Sequence, residues 1–122
     1  MSWIYKQLTG EISRDGALLA KGYSGFGFGK NNPGMQNHSE FGPLPRGTYT
    51  IGDPEDRVKQ GPYVLPLSPN TANEMFGRAG FLVHGDSLTN PGTASEGCIV
   101  LPLFARQRIH ESIDTILEVI EK

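Results

Sequence analysis

A mostly β domain closed by one C-terminal amphipathic helix is the architecture this sequence predicts, and three observations carry it. Sixteen glycines and nine prolines punctuate 122 residues, and they fall singly between apolar runs, as turns between short strands require. Those runs are strand length, too short for buried helices. After residue 103 the pattern changes. Ile109, Ile113, Ile116, Leu117 and Ile120 recur three and four residues apart, the period of a helix laying one face on a sheet.

Residues 2–8 read as the first strand. Thr9-Gly10 and Asp15-Gly16 are turn signals around a short extended piece at 11–13, and 17–23 follows as a further strand, so the chain opens as a β-meander. Residues 22–34 form a glycine-rich loop. It is not a phosphate-binding loop, because Asn31 follows Lys30 and no glycine stands five residues before Gly29. A rigid turn at 42–47 leads to a strand at 48–51. Residues 53–60 are expected to be a charged surface loop, and 63–67 another short strand. Thr71 and Glu74 have capping-box spacing, with Gly77 placed to end one or two turns of a short middle helix. Residues 81–84 and 98–101 read as strands on either side of a small, polar loop at 85–97, and Pro102 stops the second. Glu111, Asp114, Glu118 and Glu121 take the solvated face of the C-terminal helix.

This length bounds the chain to one domain over residues 1–122, with enough core to fold without staples. Eleven basic against thirteen acidic residues give a charge of −2 and a pI near 5.9. No basic field is present to meet nucleic acid or an anionic membrane. No apolar run reaches the ~18–20 residues of a membrane span, and the N-terminus lacks the basic start and apolar stretch of a signal peptide. A single cysteine, Cys98, excludes an internal disulfide and a multi-cysteine zinc site.

Reactive side chains concentrate in one place: His84, Asp86 and Ser87 before the loop, then Ser95, Glu96, Gly97 and Cys98 after it. If strands 81–84 and 98–101 pair as an antiparallel hairpin, His84 lies opposite Cys98, Leu82 opposite Val100 and Val83 opposite Ile99. Opposed Cβ atoms sit ~4.5–5.5 Å apart, which lets the imidazole reach the sulfur, take its proton and stabilise the thiolate as an ion pair. Gly97 leaves room for a carbonyl near the N–H groups of residues 96–98, candidate oxyanion donors. Ser95 either bridges His84 and substrate or orients the loop. The reaction class is acyl transfer through a thioester, with no cofactor and no metal expected. A structural cysteine packed in the core is the competing reading. A zinc site from His38, His84 and Cys98 has no supporting spacing, and a thiol redox sensor lacks a resolving cysteine.

His84, a loop, then Ser95-Glu96-Gly97-Cys98-Ile99-Val100 resembles the active-site signature of L,D-transpeptidases (the YkuD-like fold). The wider chain, over roughly residues 2–105, resembles the small L,D-transpeptidase-like effectors of bacterial type VI secretion. That likeness is carried by Trp3-Ile4-Tyr5, Gly22-Tyr23-Ser24-Gly25, Gly29-Lys30-Asn31-Asn32-Pro33, Gly42-Pro43-Leu44-Pro45-Arg46-Gly47 and His84-Gly85-Asp86-Ser87. The resemblance implies a sandwich- or barrel-like β fold. It implies Cys98 as nucleophile, His84 as general base and acid, Ser95 and Gly97 shaping the loop and oxyanion site, and Asp86 and Ser87 in a polar cluster beside the histidine. The implied substrates are peptidoglycan stem tetrapeptides. Terminal D-Ala is released by hydrolysis (carboxypeptidase) or exchanged for a D-amino acid (transpeptidase) through the Cys98 thioester. An immunity protein, a secretion-apparatus carrier and action in the target-cell periplasm belong to the same implication.

Two positions depart from the general signature. Glu96 stands where a second histidine is usual, and Val100 where an arginine is often found. Arg46, Arg78 or Lys30 is left to anchor an acidic substrate. The rival readings are a cysteine amidase or peptidase of the cell wall, against which His84 preceding Cys98 counts, and a non-catalytic wall-binding module.

Overall fold

The computed structural model describes residues 2–122 and holds ten strands and one α-helix. In chain order the strands are β1 (Trp3–Lys6), β2 (Glu11–Arg14), β3 (Ala17–Lys21), β4 (Tyr23–Ser24), β5 (Gly47–Ile51), β6 (Glu55–Arg57), β7 (Gly61–Pro69), β8 (Leu82–His84), β9 (Ile99–Val100) and β10 (Ile116–Ile120). Helix α1 (Leu103–Glu111) lies between β9 and β10. Nine strands follow one path, β3-β2-β1-β10-β5-β7-β8-β9-β4, and β6 joins it through β7. The mostly β class therefore holds, in the form of one open mixed sheet. Its two ends, β3 and β4, are separated in the chain by Gly22 alone, so the sheet must curl until its edges meet there. Gly22 donates its N–H to Gly10 O at 2.8 Å, and a Cβ at this residue would lie 1.8 Å from Val100 O. Only glycine passes between the two edges.

The core follows the strand period of two. Trp3 and Tyr5 of β1, Tyr49 and Ile51 of β5, Leu65 and Leu67 of β7, and Leu117 and Val119 of β10 are buried together, with Ala105 and Ile109 of α1 packed on them. Among the described residues no helix is long and apolar enough to cross a membrane.

Four expectations need correction. The C-terminal helix stops at Glu111, and the segment read as its second half is β10, paired parallel to β1 and antiparallel to β5. Ile113 breaks the helix by taking φ +64°. Beyond it, alternate burial of Leu117 and Val119 is a strand signature that the three- and four-residue spacing masked. The middle helix at 71–77 does not form. Asn70 accepts the Ala72 N–H, Glu74 accepts the Phe76 N–H, and Asn73 is tied by both side-chain atoms to the Thr48 backbone. Such short side-chain bonds compete with helix formation. Helical turns occur instead as single 3-10 turns at Gly27–Gly29 and Pro33–Met35. The charged stretch at 53–60 contains strand β6, exposed along its length, so it carries no apolar alternation to betray it. Finally, β8 and β9 pair in parallel, Val83 with Ile99 and His84 with Val100, not as a hairpin.

Ile113 is a β-branched residue held left-handed and 88% exposed, a conformation costing about 1–2 kcal/mol. Glycine relieves it at some expense in unfolded-chain entropy. Ile113→Gly should therefore stabilise the protein by about 0.5–1 kcal/mol, raising Tm by about 2–4 °C in a thermal melt.

Candidate active site

Parallel pairing changes how the histidine and cysteine meet. Continued by one residue, the register sets Cys98 beside Leu82, and the Leu82 N–H donates to Cys98 Sγ at 3.3 Å. His84 stands two residues farther along β8. Side chains alternate, so residues 82 and 84 of one strand share a face with 98 and 100 of the other. His84 and Cys98 thus open diagonally onto the same cleft, of about 730 Å³, with Arg78, Phe81 and Glu96 also in its walls.

Among the described residues no hydrogen bond joins the imidazole to the thiol. His84 Nδ1 instead contacts Gly85 O at 2.7 Å. A carbonyl only accepts, so Nδ1 carries the proton and Nε2 keeps its lone pair. Burial holds the His84 pKa below its ordinary value. The Gly85 carbonyl opposes that shift, and the nearby Arg106 charge adds to it. Burial likewise pushes the half-buried Cys98 thiol up, against the Leu82 N–H and the Arg57 and Arg78 charges. Both shifts favour the uncharged pair over the expected thiolate–imidazolium pair. The cleft therefore presents a protonated thiol and a neutral imidazole.

Ser95 does not reach the imidazole. Its buried hydroxyl donates to Cys98 O at 2.6 Å and accepts the N–H groups of Gly25 (2.9 Å) and Gly97 (3.0 Å). It therefore orients the loop, the second of the two roles expected for it. Because the Gly97 N–H is taken, it is unavailable as an oxyanion donor. Glycine is required at 97 for another reason. Its φ is +140°, and a Cβ there would lie 2.5 Å from Arg78 Nη2 and 2.7 Å from Phe81. Glu96 is exposed on the cleft wall.

Asp86 and Ser87 organise the other half of the loop. Asp86 Oδ1 accepts the Tyr23 hydroxyl at 2.5 Å and the Ser87 N–H at 2.8 Å, and the Gly92 N–H bridges both carboxylate oxygens. Its pKa falls below the ordinary range: desolvation pushes it up, but these donors outweigh that, helped by Lys30. Ser87 Oγ accepts the Asn90 N–H. Tyr23 closes the circuit by accepting the Ala94 N–H, and its own pKa is pushed up to about 12, by burial first and Asp86 second.

Three residues not singled out as site residues hold this frame. Tyr23 is one. Ser24, buried on β4, donates to Gly97 O and accepts the Leu44 N–H. Arg106 of α1 packs behind Gly85, where an added Cβ would meet its Nη2 at 2.9 Å. Arg78, one of three cations considered for anchoring substrate, spends all four Nη hydrogens on the carbonyls of Gln36, Pro43, Gly42 and Glu96. Arg46 lies away from the cleft, bonded to Gln7 and paired with Glu121. Lys30 sits 4.7 Å over the Tyr23 ring. Among the described residues no group of three His, Cys, Asp or Glu side chains is placed to hold a metal.

A curled β sheet presenting a histidine and a cysteine from adjacent strands to one cleft defines a small cleft-bearing β domain. The chain belongs to the Tlde1 domain family, a family of type VI secretion effectors, whose model matches residues 19–115. The matched span holds every site residue above. No curated protein and no solved structure matches the chain.

Proposed function

We propose that this effector is a cysteine acyltransferase and hydrolase acting on peptidoglycan stem tetrapeptides, an L,D-carboxypeptidase and D-amino-acid exchange transpeptidase. The observation that supports it most is the opening of His84 and Cys98 onto one cleft, with the Gly85 carbonyl fixing the histidine proton on Nδ1. A free Nε2 is what a general base for a protonated thiol needs. As a stem peptide seats, the Cys98 proton passes to Nε2 and Sγ attacks the carbonyl at the L-centre of the diamino acid. Collapse of the tetrahedral intermediate breaks the C–N bond to D-Ala, whose amine leaves with the proton from His84. Water or the amine of a D-amino acid then opens the thioester. Catalytic hydrogen bonds commonly tighten only once substrate is bound. Delivery on a secretion-apparatus carrier, action in the target periplasm and neutralisation by an immunity protein complete the reading.

The test is incubation with tetrapeptide muropeptides, following D-Ala and the acyl-enzyme by mass spectrometry. The protein should release D-Ala and gain the mass of the acylating stem, and Cys98→Ala should do neither. Release that survives Cys98→Ala overturns the assignment, and no release from any stem peptide overturns the activity.

A further inference from the structure

A second cleft, of about 890 Å³, adjoins the first and shares with it Lys59, Gln60, Gly85, Asp86 and Ser87. Arg106 lies in its wall. The residue is 6% exposed, and its guanidinium is fixed on three sides. Nε donates to Leu101 O at 3.2 Å, and Nη1 to Pro62 O at 2.8 Å and Tyr63 O at 3.0 Å. Nη2 has no hydrogen-bond partner among the described residues. It is not sealed in, because Tyr5 Oη is the one fully buried side-chain polar atom without a partner among the described residues. A rigidly held cation therefore lines the cleft, with an uncommitted N–H edge set against Gly85, a residue of both cleft walls.

No carboxylate neutralises it. The ion pairs among the described residues are Arg14–Asp114, Arg46–Glu121 and Arg57–Glu55. The one acid in this cleft, Asp86, has its oxygens occupied by Tyr23, Ser87 and Gly92. Lys21 and Lys59 add positive charge, while Val58 and Leu88, both almost fully exposed, supply apolar walls. A pre-positioned Arg N–H in a partly desolvated cleft is suited to a small carboxylate.

We propose that the second cleft is a carboxylate subsite in which Arg106 Nη2 holds the α-carboxylate of the amino acid released from, or exchanged onto, the stem peptide. The inference rests on the acyl-transfer reading and deepens it. In the forward step the Cys98 S–C bond forms as the C–N bond to the terminal amino acid breaks, and the amine departs protonated. Exchange remakes a C–N bond at the same carbon, breaks the S–C bond and returns the proton to sulfur. Leaving and entering amino acids thus occupy one place relative to the thioester, so one carboxylate anchor serves both. Arg106 then performs the anchoring that Arg78, locked on four carbonyls, does not.

Free amino acid needs no turnover to occupy such a site, so binding is read directly. The unmodified protein is titrated with D-alanine and with D-alaninamide, which lacks the carboxylate, following backbone amides by NMR. D-Alanine should perturb Gly85 and Leu88 saturably, at a concentration about tenfold or more below that needed for the amide, the factor expected of one charge-assisted bond. Arg106→Lys, checked for folding by thermal melt, should erase that preference. Equal behaviour of the two ligands, perturbation confined to another surface, or no saturable shift with D-alanine overturns the subsite. Because this readout involves no reaction, it can succeed where D-Ala release fails and fail where release succeeds.

Discussion

Replacing Arg78 with methionine should destabilise the protein by about 4 kcal/mol, the largest loss expected outside the apolar core. The guanidinium is buried between the 36–43 segment and the 85–97 loop and donates to four carbonyls, from Gln36, Gly42, Pro43 and Glu96. Its carbon lies 5.2 Å from the Phe81 ring centroid. Methionine keeps much of the volume and removes every donor. Each carbonyl then loses a charge-assisted partner, and an unsatisfied buried acceptor costs about 1 kcal/mol or more. Set against a usual total of about 5–15 kcal/mol, that brings the domain close to unfolding. Arg78→Lys should fall between, because an ammonium has three donors and no planar fork. Urea denaturation checks the order: wild type, then lysine, then methionine, with midpoints falling at constant slope. A methionine variant as stable as wild type would show that water satisfies these carbonyls, and that Arg78 does not hold the loop.

The mixed legibility of this chain has specific causes. The turn residues and short apolar runs placed β1, β2, β5 and β8 within a residue or two, because those strands have clear boundaries and at least one buried face. β10 was hidden because Ile113, Ile116, Leu117 and Ile120 keep helical spacing across the strand's buried pair, Leu117 and Val119, and a left-handed isoleucine is not a helix stop that sequence announces. The pairing of β8 with β9 was legible in principle. A thirteen-residue connection is long for a hairpin, whose loops run 2–5 residues, and suits the crossover of a dozen or more residues that parallel strands require. At the site, residue type alone pointed to His84 and Cys98. Ser95 orients the loop, one of the two roles expected for it, but the groups that it and Gly97 are held against, Gly25, Arg78 and Phe81, are remote in sequence and could not be read from it. Arg106 gave no signal, since an arginine on a short surface helix is ordinarily solvated. Only the fold shows that its guanidinium turns inward.

Replacing His84 with alanine should lower the rate of D-Ala release at neutral pH by about 10³-fold, within the range for loss of a positioned general base. The pH dependence separates that role from a structural one. In the wild type, burial keeps His84 neutral below its ordinary titration range and keeps Cys98 protonated above its own. The productive state, neutral base beside protonated thiol, therefore predominates across a wide interval. Activity should be flat through neutral pH and fall on the acid side only below about pH 6.5, the ordinary histidine value. Without the imidazole, attack waits on thiolate formed by solvent. The raised Cys98 pKa makes that species scarce at neutral pH, and its fraction grows about tenfold per pH unit until the thiol titrates. The His84→Ala rate should climb with that slope well into the alkaline range, so that the deficit against wild type narrows steadily. Loss of the side chain as a mere packing element predicts a deficit constant with pH and a lowered Tm. Equal pH profiles for the two proteins would remove His84 from proton transfer, whatever the size of the rate loss.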